Sequence, residues 1–111
     1  MDEVRAFAST LPRAYEVVVG GRIKFRVGQI VFLSFSRDGT LIGFGFPKEW
    51  REALVESEPE KFMLPRESDM RFNWVVGRLD AIDEAEIRDL VLDAWAMVVP
   101  QKVSAPYREP G

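Results

Sequence analysis

Residues 22–27 alternate strictly. Arg22, Lys24 and Arg26 take one side of the chain; Ile23, Phe25 and Val27 take the other. Successive side chains of a β-strand point to opposite faces, so this stretch specifies a strand with one apolar and one cationic face. A strand of that kind needs a sheet with a core against one side of it. The flanks agree. Gly20-Gly21 is a turn pair, Gly28 breaks the run, and Gln29 to Ser36 resumes it as a more apolar strand. Arg37-Asp38-Gly39 carries the Asp-Gly hairpin signal, and Thr40 to Phe46 returns. Gly43 and Gly45 fall on one face of that return strand, which predicts close packing of a helix or another backbone there.

Helical spacing brackets this strand block. Val4, Phe7, Ala8 and Leu11 form an apolar stripe over residues 2–11, ended by Pro12. Tyr15, Val17 and Val19 lead into the glycine turn. Pro47 suits the first position of a second helix, with Trp50, Ala53 and Leu54 as its expected buried stripe. Phe62–Leu64 reads as a short strand, residues 65–71 as a polar loop, and Phe72, Trp74 and Val76 as a strand running to Leu79. Asp83 stands three residues before Glu86, a capping-box pattern. The closing helix is expected from Glu84 to Val99, with Ile87, Leu90, Val91, Ala94 and Val98 inward and Trp95 at the stripe's edge. Residues 100–111, with Pro106 and Pro110, read as a mobile tail. The order is α-βββ-α-ββ-α. Short connections favour hairpins over crossovers, so the expectation is a single α+β domain over residues 1–111, a two-layer α-β3-α-β2-α fold whose antiparallel sheet of about five strands is covered by three helices.

Composition narrows the chemistry. The 111 residues include no cysteine and no histidine, which removes disulfides, thiolate nucleophiles, imidazole bases and the commonest metal ligands. No phosphate loop or dinucleotide fingerprint is present. No apolar run approaches the roughly 20 residues of a membrane span, and no charged-then-apolar leader opens the chain, so the expected location is the cytoplasm, with no membrane partner. The net charge is -3, the wrong sign for a typical nucleic-acid-binding domain. The charge is uneven, however. Residues 13–37 hold Arg13, Arg22, Lys24, Arg26 and Arg37 against Glu16 alone, while residues 80–93 hold six carboxylates against Arg88 alone.

Several segments together carry a family resemblance. They are an opening helix ending in Leu11-Pro12, then KFRVGQIVF, PKEWREALVESEPEKF, NWVVGRLDAID and EIRDLVLDAWAMVVPQK. In order and spacing the chain resembles the MmcQ/YjbR family of small bacterial proteins over roughly residues 3–108. The resemblance implies a two-layer α-β3-α-β2-α fold, the order already read from the residues. It also implies a DNA-binding label attached to a "double wing" of strands, with no enzymatic activity. The chain departs from the family in two places. VVVGGRIK replaces a Trp-Gly-His-Pro-like segment, and Arg71-Phe72-Asn73 replaces a His-Gly before Trp74.

The strongest candidate site is the row Arg22, Lys24, Arg26. Cations at spacing two lie roughly 6.5–7 Å apart on one strand face, near the spacing of phosphates along a nucleic-acid strand. The ordinary alternative is a solvated strand face that discourages edge pairing. Like charges in a row call for a counter-charge from Glu16, Asp38 or a ligand. Arg71 and Arg78 are added as phosphate contacts, beside Arg66, Phe72, Asn73 and Trp74. Against these stands the reading of Phe72 and Trp74 as core, and Trp50 and Trp95 more so. The carboxylates Asp80, Asp83, Glu84 and Glu86 are better explained by a helix N-terminus than by a metal. Ser34 and Ser36 have no histidine to activate them, so no catalytic residue, cofactor or metal is assigned. The leading expectation is a non-enzymatic protein binding DNA through its basic strand face. The rival is a protein-interaction or small-ligand module with a groove between helix and sheet, lined by Phe44, Phe46 and Trp74, with an arginine for an acidic ligand. A catalytic role invisible to motifs is a third.

Overall fold

A computed structural model describes residues 1–108. Its first hairpin turns on Gly20 and Gly21, whose φ angles are 60° and 78°. Positive φ at both central residues matches the twist of a two-residue hairpin. The turn joins β1 (Tyr15–Val19) to β2 (Arg22–Val27), with Val17 opposite Lys24. β3 (Ile30–Phe35) and β4 (Leu41–Gly45) continue the meander. α1 (Asp2–Ser9) precedes it. α2 (Lys48–Ser57), β5 (Phe62–Met63), β6 (Trp74–Arg78), α3 (Glu84–Ala96) and α4 (Gln101–Arg108) follow. The strands form one sheet in the order β1-β2-β3-β4-β6-β5, antiparallel throughout.

The α+β class and the antiparallel sheet agree with the sequence, and two elements refine the order. Tyr15–Val19 is a strand in its own right, because it pairs with β2 along its whole length. The first strand block therefore has four members. Residues 101–108, expected as part of a tail, form α4 despite Pro106. Tyr107 on α4 packs edge-on against Trp95, ring centroids 5.1 Å apart. The last three residues of the expected tail lie outside the described residues.

Period two builds the core. Phe25 faces Leu33, Leu33 faces Phe44, Phe35 faces Ile42, and Phe44 faces Val75 across the ladder. All are buried, and each such side chain contributes roughly 1.5–3 kcal/mol on leaving water. A register shift between Phe25 and Arg26 leaves Phe32 without an opposite number. This bulge breaks the alternation and lets Phe32 and Leu33 both be buried, with Phe32 lying 6.4 Å from the Phe25 ring. α1 adds Val4 and Ala8; α3 adds Ile87, Val91, Ala94 and Trp95. Trp95 is central and not at the edge, since it is fully buried and donates its indole N–H to Pro12 O at 2.8 Å. Asp83 caps α3 as expected, accepting Glu86 N–H at 2.8 Å. The Glu86 carboxylate does not complete the box. It accepts from Lys61 Nζ at 2.9 Å, and Lys61 is shared with Glu58.

α2 corrects the sequence reading. Trp50 is 65% exposed and Ala53 is exposed as well. The inward stripe runs one residue further round, through Arg51, Leu54 and Val55. Arg51 is buried because its guanidinium donates to three main-chain carbonyls, those of Phe72 at 2.8 Å, Trp74 at 3.1 Å and Met70. The loop before β6 supplies those acceptors, so an arginine holds a place that apolar periodicity assigns to alanine and tryptophan.

Candidate functional site

The sheet face away from the core is open. One lateral row crosses it in register: Lys24 of β2, Ser34 of β3, Gly43 of β4, Val76 of β6 and Met63 of β5. These residues line a groove of about 870 Å³. Arg22 stands on β2 beside Lys24, Leu64 follows Met63, and Phe72 and, just after the end of α3, Met97 and Val98 also line the groove. Gly43 has no side chain for a reason. A Cβ there would lie 2.7 Å from the Trp74 indole Nε1, so the ring rests directly on the β4 backbone. A Cβ on Gly45 would lie 3.6 Å from the Ala94 Cβ on α3, an ordinary contact distance. The close approach expected at both glycines is thus made at Gly43, by an indole, while at Gly45 a helix stands at normal packing distance.

The cationic row stands without carboxylate partners. Among the described residues, Arg22, Lys24 and Arg26 take part in no ion pair. Both nearby counter-charges are engaged elsewhere. Glu16 is gripped by Arg5, Nε to Oε1 at 2.6 Å and Nη2 to Oε2 at 2.8 Å. That contact holds the Glu16 carboxyl below its ordinary range. Asp38 accepts hydroxyl hydrogen bonds from Thr40 and Ser36 and the Thr40 N–H, which bring its carboxyl down to about 2. Arg26 differs from its two neighbours, because its Nε is buried with no hydrogen-bond partner.

The other candidates do not converge on this row. Arg71 is exposed, its guanidinium 4.8 Å from the centre of the Phe72 ring. Arg78 donates to Pro59 O at 3.0 Å. β6 lies three strands from β2, a separation of about 14 Å. Neither arginine lines the groove, whereas Arg66 does and is paired with Asp69 at 3.1 Å. Of the three aromatics expected there, Trp74 lines it. Phe44 does not. Alternation turns it to the core face, where it is fully buried 6.4 Å from Phe62. Phe46 packs partly buried against the core. The sequence pattern does not assign Ser34, Met63 and Val76 to the groove, because only cross-strand register reveals that they share a row with Lys24. Among the described residues no three acidic side chains are grouped as a cation site. Glu84, for one, pairs with Arg88 at 3.2 Å.

These features define a small α+β domain with a groove on the sheet face opposite Phe25, Leu33 and Phe44, bordered by the end of α3. The chain belongs to the YjbR family, whose model matches residues 9–97. A similar solved structure is that of Deinococcus radiodurans protein DR2400, assigned to the domain family DUF419. It superposes with a TM-score of 0.77 over 98% of this chain and 88% of that one, at 16% sequence identity. Identity that low establishes the fold alone. No curated protein matches the chain. No helix among the described residues is long and apolar enough to cross a membrane.

Proposed function

We propose that the protein is a non-enzymatic binding module that meets an anionic partner on the open face of its sheet. One observation carries this reading: among the described residues Arg22, Lys24 and Arg26 take part in no ion pair, while Glu16 and Asp38 are committed elsewhere. A charged row left unpaired on an accessible face favours a ligand of opposite sign.

A nucleic-acid backbone is one such partner. The row would meet successive phosphates and position a strand without reading its sequence. Arg71 and Arg78 lie away from the row, and the net charge of -3 opposes approach. Binding therefore rests on three cations at most. A titration of labelled duplex DNA at low and moderate salt tests this. The expected log–log salt slope is no steeper than about -2.7, from about 0.9 per phosphate contact. Charge reversal at Arg22 and Lys24 is expected to abolish binding. No binding at low salt, or an unchanged affinity in the reversed variant, removes nucleic acid as the partner. Trp74 and the apolar end of the groove favour a second reading, a small acidic ligand.

A further inference from the structure

The groove grades from cationic to apolar along a single register row, and that gradient selects a chemical class. At β2 stand Arg22 and Lys24. Next comes Ser34, whose hydroxyl makes no hydrogen bond within the described chain, as is also true of the Trp74 indole N–H; then Gly43 beneath the Trp74 ring; then Val76 and Met63, with Leu64 following Met63 in the chain. Of the groove's charged residues, Arg66 and Asp69 neutralise each other. The polar side chains of the row, Lys24 and Ser34, stand on β2 and β3, and the Trp74 indole N–H adds a donor over β4. The step from β2 to β5 is four strand spacings, about 19 Å.

Resting on the reading of an anion-binding module, we infer that the groove takes a single-tailed amphipathic organic anion. Its acidic head meets Arg22, Lys24 and Ser34, and its apolar body lies across Trp74 toward Val76 and Met63. The volume of about 870 Å³ is within the range of small-molecule sites. The cationic head end discriminates by charge, since an uncharged head would leave two cations without a partner. The apolar end discriminates by length, since a bare anion leaves that surface wet.

The test is a calorimetric titration of the intact chain with decanoate, decyl phosphate, decanol and inorganic phosphate, all below micellar concentration. Saturable one-to-one binding is expected for decanoate or decyl phosphate, and their relative affinity tells a carboxylate head from a phosphate head. Decanol and inorganic phosphate are expected to bind at least about tenfold more weakly. The double variant Arg22→Met, Lys24→Met removes both charges while keeping flexible, unbranched side chains. It is expected to lose about tenfold for the decyl anions and nothing for decanol, with an unchanged melting temperature as the folding control. Equal binding of decanol and decanoate overturns the inference, as does full affinity in the double variant. So does the absence of decyl-anion binding. If duplex DNA binds in that last case, the anion-binding reading stands and only this ligand class falls. If neither binds, both fall.

Discussion

At the residue scale the informative positions are those that carry no apolar signal. Gly43 is the floor of the groove because the Trp74 ring occupies the space of its missing Cβ. The sequence signalled a close approach there, and it did not say that the visitor was an indole from a strand 31 positions on. Asp38 is legible in its place and not in its role, since the counter-charge expected of it goes to its own turn. The Asp-Gly signal placed it in a hairpin, and its carboxylate binds Ser36 and Thr40 on either side. Those bonds bring its pKa from 3.8 to about 2. A lowered folded-state pKa means that the contribution is present above the unfolded value, near 3.8, and is lost as the pH falls toward 2. The Asp38→Asn variant is therefore expected to be less stable than the parent at pH 6, with the gap closing between pH 4 and 2. Urea unfolding midpoints across that range check it, and a gap independent of pH counts against the carboxylate's role.

Elements read well wherever the period was clean. β2 and the start of α3 lie where alternation and capping placed them, Asp83 caps as expected, and α3 ends at Ala96, three residues before the expected Val99. α2 misled by one residue, because its inward stripe contains a charge. Periodicity ranks Trp50 above Arg51, but three carbonyls of the Met70–Trp74 segment reverse that order. Nothing in the structure explains why Trp50 is tryptophan. Arg51 ties α2 to the loop that shapes one end of the groove. Replacing it with Met keeps the bulk and orphans the acceptors, a cost of about 1–3 kcal/mol. The expected outcome for Arg51→Met is a lower urea midpoint and faster amide exchange at Phe72 and Asn73. Unchanged exchange there would mean the loop holds itself.

At the scale of the molecule, the class of fold was legible and the site was only half so. Arg22, Lys24 and Arg26 are read directly from spacing on one strand. Their companions Ser34, Gly43, Val76 and Met63 come from four other strands, and no local pattern predicts which residues share a row. Phe44 was assigned to the groove although it is two positions from Ile42 and shares that residue's inward face. Cutting the chain after Asp83 tests the two-layer arrangement. The shortened protein keeps every strand but lacks Ile87, Val91, Ala94 and Trp95 from its core. It is expected to aggregate or to bind a hydrophobic dye strongly. A monomeric, cooperatively folding fragment would show that the sheet does not depend on α3.

The meander also has a history in every newly made copy. β1 to β4 are consecutive neighbours, so they have all been made once residue 45 is added, whereas the α3 part of their cover follows. At roughly 5–20 residues per second, the intervening stretch takes on the order of seconds to translate. For that interval Phe25, Leu33, Phe35, Ile42 and Phe44 exist with α1 but without α3 to complete their core. Slow codons before Glu84 would prolong that window, and a chaperone would find its work there.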